Sequence, residues 1–190
     1  SKLEPSSWSD AIKVLKSKLK NSKPLALIGE HTDLETGFAI QKFMSHFGKD
    51  NIECRTDNQS ILPSLDSYRF NTPIANIEDA DLVILCGTNP KIESPIINHK
   101  IFKSYNAGTE VFNIGNNISL NYPTHYLGES LNELNNDLLK KHLKKAANPI
   151  LIVGSGFLNQ LSSNDTLKSL FSFASKNKII SDDKNNLNFL

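Results

Sequence analysis

Five consecutive apolar residues, Leu82-Val83-Ile84-Leu85-Cys86, stand between Asp81 and Gly87. A run this short and this continuous is a strand covered on both faces, which happens mainly in parallel sheets flanked by helices. Gly87 ends it with a residue able to take positive φ, and Asn89-Pro90 is expected to bar an immediate helix. Ser94-Pro95 then supplies an N-cap and a proline for the first position of the next helix, Ile96 to Tyr105. Strand, glycine turn and helix start form the geometry by which α/β proteins hold anions or cofactors at a strand's carboxyl end.

The same unit recurs along the chain. Pro24 to Gly29, Thr109 to Gly115 and Pro149 to Gly156 each read as an apolar strand running into glycine. Between them lie segments of helical period. Trp8, Ala11, Ile12, Leu15 and Leu19 form one stripe, with Ser9 as its expected cap. Phe38, Ile40, Phe43, Met44 and Phe47 form another, closed by Gly48. Leu131 to Leu143 is expected as one amphipathic helix, and Leu167, Leu170, Phe171, Phe173 and Ala174 mark the buried face of the last. Asn51 to Arg55 fits a short edge strand, 56 to 73 a long surface connection, 116 to 127 an irregular stretch, and Ile179-Ile180 a final strand start. Apolar strands alternating with amphipathic helices predict a doubly wound, mostly parallel Rossmann-like α/β sheet with helices on both faces. Residues 1–147 are expected to form a first such unit and 148–190 the truncated start of another.

Composition narrows the function. At 190 residues and net charge +1, the chain offers no field that would draw nucleic acid or acidic lipid. No apolar run approaches the roughly 20 residues of a membrane span, so direct membrane insertion is not expected. The opening residue is Ser1, as an excised or processed piece would show. Cys54 and Cys86 are too few for a disulfide framework and lie in no CxxC pair. The five histidines show neither HxxxH nor HxH spacing, and no GxSxG elbow or P-loop occurs. No catalytic or metal-ligating residue is therefore assigned.

Three local features invite a site reading. Gly154-Ser155-Gly156 resembles the start of a dinucleotide-binding turn, but position 159 is Asn159, so close helix–strand packing accounts for it better. Gly29-Glu30-His31 suits an exposed polar turn better than acid–base work. Lys140, Lys141, His142, Lys144 and Lys145 suit the solvated face of a helix.

The turn itself carries a family resemblance. Gly87-Thr88-Asn89-Pro90-Lys91-Ile92-Glu93-Ser94-Pro95 followed by Asn98 resembles a motif of the largest iron–sulfur subunit of respiratory complex I, whose C-terminal part is similar to molybdopterin oxidoreductases. Tyr68-Arg69-Phe70-Asn71 with Ile77 to Asp81, Leu120-Asn121-Tyr122 with His125 to Gly128, and Leu3-Glu4-Pro5 with Trp8 to Ala11 resemble further segments of that subunit. The resemblance spans essentially the whole chain.

It implies a structural domain of the peripheral arm of an NADH:quinone oxidoreductase, with no chemistry of its own. Other complex I subunits, above all the cluster-bearing N-terminal part of the same subunit, would be its partners. Its place would be the matrix side of the mitochondrial inner membrane, or the cytoplasmic side of a bacterial one. Molybdenum relatives carry an acidic residue, which helps hold a pterin guanine, after the strand equivalent to Val111–Ile114. Here that place is Gly115-Asn116-Asn117. The implied pocket, formed by Gly87, Thr88, Asn89, Pro90, Glu93, Gly115 and Asn116, is thus expected to be vestigial and to bind no cofactor. Iron–sulfur clusters would lie elsewhere in the subunit or complex. Lys91, Lys100 and Phe102 replace arginines usual in the family, so ion pairs there are expected to differ. Two alternatives stand beside this reading. One is a functional molybdopterin-guanine-dinucleotide domain. The other is the central domain of a thiamine diphosphate enzyme, which Asn148 to Gly156 resembles.

Overall fold

The computed structural model describes residues 3–29, 31–48, 51–54, 64–158 and 164–190, with the backbone alone for 164–166. The chain divides into two compact units, Ser1–Thr56 and Asp57–Leu190.

The first unit holds α1 (Trp8–Leu19), β1 (Ala26–Leu27), α2 (Leu34–Met44) and β2 (Ile52–Glu53), with β1 and β2 paired in parallel. Ser7, not Ser9, caps α1: its hydroxyl accepts from the Asp10 amide, and it also donates to the Asp10 carboxylate. Asp33 caps α2 by accepting from the Thr36 amide. Gly48 has φ +132 and follows the helix where a left-handed or related backbone is needed. The segment expected as a buried strand, Pro24 to Gly29, is not buried. Leu25 is 64% and Leu27 74% exposed, because no described residue of this unit covers them.

The second unit contains β3 (Leu82–Cys86), α3 (Pro90–Glu93), α4 (Pro95–Asn106), β4 (Glu110–Ile114), β5 (His125–Gly128), α5 (Asp137–Leu143), β6 (Pro149–Val153), α6 (Ser155–Leu158) and α7 (Asn164–Lys176). A hairpin of β7 (Ile180–Ser181) and β8 (Lys184–Asn185) leads into β9 (Leu187–Phe189). The main sheet has order β5-β4-β3-β6-β9 with every pair parallel. Chain order runs outward from β3 to one side, then returns to β6 on the other. Strand order therefore reverses between β3 and β6, as in a doubly wound sheet.

Alternate residues of the central strands feed two cores. Leu82, Ile84, Cys86, Leu151 and Val153 pack with Leu139, Phe157, Leu167 and Leu170 on one face. Val83, Leu85, Ile150 and Ile152 pack with Ile97, Ile101 and Tyr122 on the other. All five residues of β3 and of β6 are buried, as their unbroken apolar runs require. Each large aliphatic side chain so buried contributes about 1.5–3 kcal/mol, enough to make this sheet the core of the unit.

Four expectations are corrected here. The boundary at 147/148 falls inside a sheet: β6 pairs with β3 along its whole length, so 148–190 completes the fold begun at β3. The stretch 116–127 ends in a strand, because β5 pairs with β4 through a register shift at Asn113/Ile114 that alternation cannot reveal. Leu131 to Leu143 is a 3-10 turn, Leu131–Asn135, and then α5, interrupted where Asn136 turns its side chain to cap Leu138. The final strand is β9 rather than the one expected to start at Ile179-Ile180, which forms half of the β7–β8 hairpin; Asn186 and Asn188 masked β9, since they are buried polar residues in a sheet.

Part of the connection expected at 56–73 has a clear task. Residues 55–63 lie outside the described residues, but Arg69 O accepts from the Phe189 amide at 3.1 Å and Asn71 Nδ2 donates to Leu187 O at 2.7 Å. The segment therefore satisfies the outer edge of β9, which would otherwise present bare strand groups.

Candidate functional site

A cleft of about 380 Å³ opens at the carboxyl ends of the sheet, over the reversal point between β3 and β6. Its walls are the turns after β3 (Gly87, Thr88, Asn89, with Glu93), β4 (Gly115, Asn116, Ile118), β5 (Glu129) and β6 (Ser155, Gly156, Phe157).

Glycines build the floor. Gly87, at φ +63, donates its amide to Ile114 O at 2.8 Å, and Gly156 donates to Gly87 O at 3.0 Å. A Cβ on Gly87 would lie 2.5 Å from Phe157 Cδ2 and 2.7 Å from the Phe157 amide nitrogen. A Cβ on Gly154 would lie 2.4 Å from Thr88 Cβ, and one on Gly156 2.7 Å from Gly87 O. The Gly154-Ser155-Gly156 pair thus serves close packing of turn on turn, the reading preferred over dinucleotide binding. Gly115, at φ +116, sits against Gly87: an added Cβ would be 3.2 Å from its Cα.

The rim is rich in acceptors. Contrary to the expected bar, Asn89-Pro90 opens a one-turn helix at once, because proline is tolerated at the first helical position. Glu93 reaches back over this turn to accept from Thr88 Oγ1 at 2.9 Å and from the Asn89 amide at 2.8 Å. Asn89 Oδ1 is buried with no hydrogen-bond partner among the described residues. Glu129 adds a second carboxylate, and no lysine or arginine is among the lining residues.

Six of the seven predicted pocket residues, Gly87, Thr88, Asn89, Glu93, Gly115 and Asn116, meet in this cleft. Pro90 does not line it and is buried as the start of α3. Asn117, next to Asn116 in the stretch that replaces the acidic residue of molybdenum relatives, is not among the lining residues either. Glu129, Ile118 and Phe157 escape a reading of the sequence as site residues, since their place in the cleft depends on a sheet order the sequence does not display, while Ser155 and Gly156 arrive in it from the turn already singled out after β6. Glu30 lies outside the described residues, and His31 sits in the turn after β1, in the first unit.

This arrangement has relatives. The sequence model of the molybdopterin oxidoreductase family matches residues 1–190. The chain belongs to the molybdopterin oxidoreductase family. It is similar to a subunit of the NADH-quinone oxidoreductase of Rickettsia bellii, 32% identical over 100% of this chain and 29% of that protein. It is similar also to the mitochondrial NADH dehydrogenase [ubiquinone] iron-sulfur protein 1 of Solanum tuberosum, at 29% identity over 97% of this chain and 26% of that one. The chain therefore spans less than a third of the length of these relatives. Among solved structures, a chain of the formyltransferase/hydrolase complex of Methylorubrum extorquens, determined with methylofuran, shares the fold with TM-score 0.63 at 10% identity. That match covers 97% of this chain and 58% of the other.

Lys100 pairs with Glu78 inside the chain, and Lys103 approaches the same carboxylate at 3.4 Å. The hydrogen bond from Lys100 is the main reason the Glu78 carboxyl is held below its ordinary pKa. Phe102 stacks on Tyr122 with ring centroids 6.1 Å apart, so its place is filled by packing rather than charge. Tyr122 in turn donates to Asn98 Oδ1 at 3.0 Å, which explains two of the residues carrying the family resemblance as core contacts. His125 Nε2 lies 2.6 Å from Glu110 Oε2 on the edge strand. Of the cluster expected on a solvated helix face, Lys140, Lys141, Lys144 and Lys145 are exposed, but Lys144 and Lys145 lie past the end of α5, and His142 is half-buried with its ring centroid 5.1 Å from that of Phe112.

Among the described residues no group of three or more His, Cys, Asp or Glu is placed to hold a metal ion. The two cysteines differ sharply: Cys54 is exposed, while Cys86 is buried in β3 and burial pushes its thiol pKa far up. A thiol that does not ionise does not alkylate. Treating the native chain with a maleimide at neutral pH should label Cys54 alone, with Cys86 joining only in denaturant. Equal native labelling of both would contradict the packing of β3.

Proposed function

We propose that this chain is a structural domain of the peripheral arm of a proton-translocating NADH:quinone oxidoreductase, carrying electrons nowhere itself and performing no chemistry of its own. Its site would be the matrix face of the mitochondrial inner membrane or the cytoplasmic face of a bacterial one. Its nearest partner would be the cluster-bearing N-terminal part of the same subunit, where the iron–sulfur centres belong. Among the described residues no helix is long and apolar enough to cross a membrane, which accords with a peripheral place.

The observation that carries this reading is the charge of the cleft. A pterin dinucleotide brings a pyrophosphate, and the residues lining the cleft meet it with Glu93 and Glu129 and no cation. Like charges in a partly desolvated site repel, and no cationic side chain among the lining residues offsets them. Glu129 is a carboxylate lining the same cleft as Gly115 and Asn116, so the objection rests on the phosphates rather than on the base. The floor is filled as well: Phe157 packs against Gly87 and Gly115. The residues present do not fit the cofactor of the catalytic relatives, and no reaction step is derived through it.

Native membranes solubilised in a mild detergent and resolved by native electrophoresis test the reading. The chain should migrate with a very large NADH-oxidising assembly. Migration alone, or with a molybdenum enzyme, would overturn it.

A further inference from the structure

The first unit is half of a layer. Of its described residues only Met44 is buried, while Trp8 is 86%, Leu27 74%, Leu34 86% and Phe38 65% exposed. Its sheet is two parallel strands, and parallel sheets occur almost entirely with both faces covered and with more than two strands.

The two edges of that sheet are not alike. Ala26 and Ile28 donate their amides to Asn51 O and Glu53 O of the β2 side at 2.9 and 3.0 Å. By strand alternation, the amide and carbonyl of Leu27 point to the opposite edge, where no strand pairs among the described residues. On the far side of β2, Ile52 also faces outward without a strand partner among the described residues, but there Glu53 is a charged guard whose Oε1 already meets the Cys54 amide at 3.0 Å. Nor does Pro24 to Ile28 carry a charge, the usual guard on an exposed strand edge.

Resting on the structural-subunit reading above, we infer that the Leu27 edge of β1 takes a further β-strand, supplied by other polypeptide of the longer protein this chain resembles. That strand must be apolar on both faces, since it would lie between Leu27 on one side of the sheet and Ala26 and Ile28 on the other. Every strand of the second unit among the described residues is already placed in the main sheet or the β7–β8 hairpin. The relatives are long enough to provide it, since this chain spans 29% and 26% of them.

Hydrogen exchange at the Leu27 amide tests the inference, compared between the chain alone and the chain within the native assembly. Leu27→Pro is the matching variant, because it removes the outward donor and leaves the bonds of Ala26 and Ile28 to β2 in place. The expected result is exchange at Leu27 slowed roughly 100-fold or more on assembly. Leu27→Pro should then fail to assemble while the second unit unfolds as before. Assembly with Leu27 still exchanging fast overturns the inference and leaves the subunit reading standing. Failure of the unaltered chain to assemble at all overturns both. Protection of Leu27 in the chain alone, with dimers in solution, overturns the assignment of the occupant.

Discussion

Gly87→Val should lower the stability of the second unit by about 3 kcal/mol or more, the combined scale of positive-φ strain and core overpacking. Two effects add. At φ +63 a β-branched residue is strained whatever the space around it. The space is also taken: the first added carbon meets Phe157 Cδ2 at 2.5 Å and the Phe157 amide nitrogen at 2.7 Å. That nitrogen cannot retreat freely, because it donates to Gly154 O at 3.1 Å. Gly108→Ala is the control, since Gly108 has φ +105 but open space where its Cβ would go. It should cost only the strain, about 1–2 kcal/mol. Thermal unfolding of both variants separates the terms. Equal melting temperatures for the two would mean that the interlocked glycine floor does not bear on stability.

Asn188→Ala should cost about 2–4 kcal/mol by the loss of buried hydrogen bonds to several partners. Asn188 is fully buried in β9, an unusual place for an amide side chain. Its Oδ1 accepts from the Asn71 and Thr72 amides, both at 2.8 Å. Its Nδ2 donates to Thr72 Oγ1 at 2.9 Å and to Asn186 O at 3.0 Å. Truncation strands two backbone donors and leaves a void. The expected sign is a lower urea midpoint at unchanged slope, with faster exchange of the Phe189 amide, whose acceptor is Arg69 O in the same segment. An unchanged midpoint would mean that the segment is held by its other contacts alone.

The central architecture is legible because β3 and β6 are unbroken apolar runs, and such runs have few other homes than the middle of a parallel sheet. Gly87 can be expected to take positive φ from its place after the first of them. The pocket is legible to the extent that its residues belong to the turns after β3 and β4. What lies beyond the sequence is long-range pairing. β5 is a short, partly exposed edge strand with shifted register, and β9 hides behind Asn186 and Asn188, whose amides are satisfied in part by residues more than a hundred positions away. The neighbour of β6 is likewise unreadable, so the expected boundary at 147/148 cuts a sheet in two. Glu129 escapes notice because its place in the cleft depends on β5. Ala26 and Leu27 read as a buried strand because their sequence is that of a covered one, whereas the described residues supply no cover.

Elemental and pterin analysis of the native, assembled chain tests the central claim most directly. If the acceptor-rich cleft, with no lysine or arginine lining it among the described residues, excludes a pterin dinucleotide, molybdenum and tungsten should each fall far below one atom per chain. Oxidative treatment should likewise release no fluorescent pterin from it. One equivalent of either metal, with a matching amount of pterin, would contradict the account.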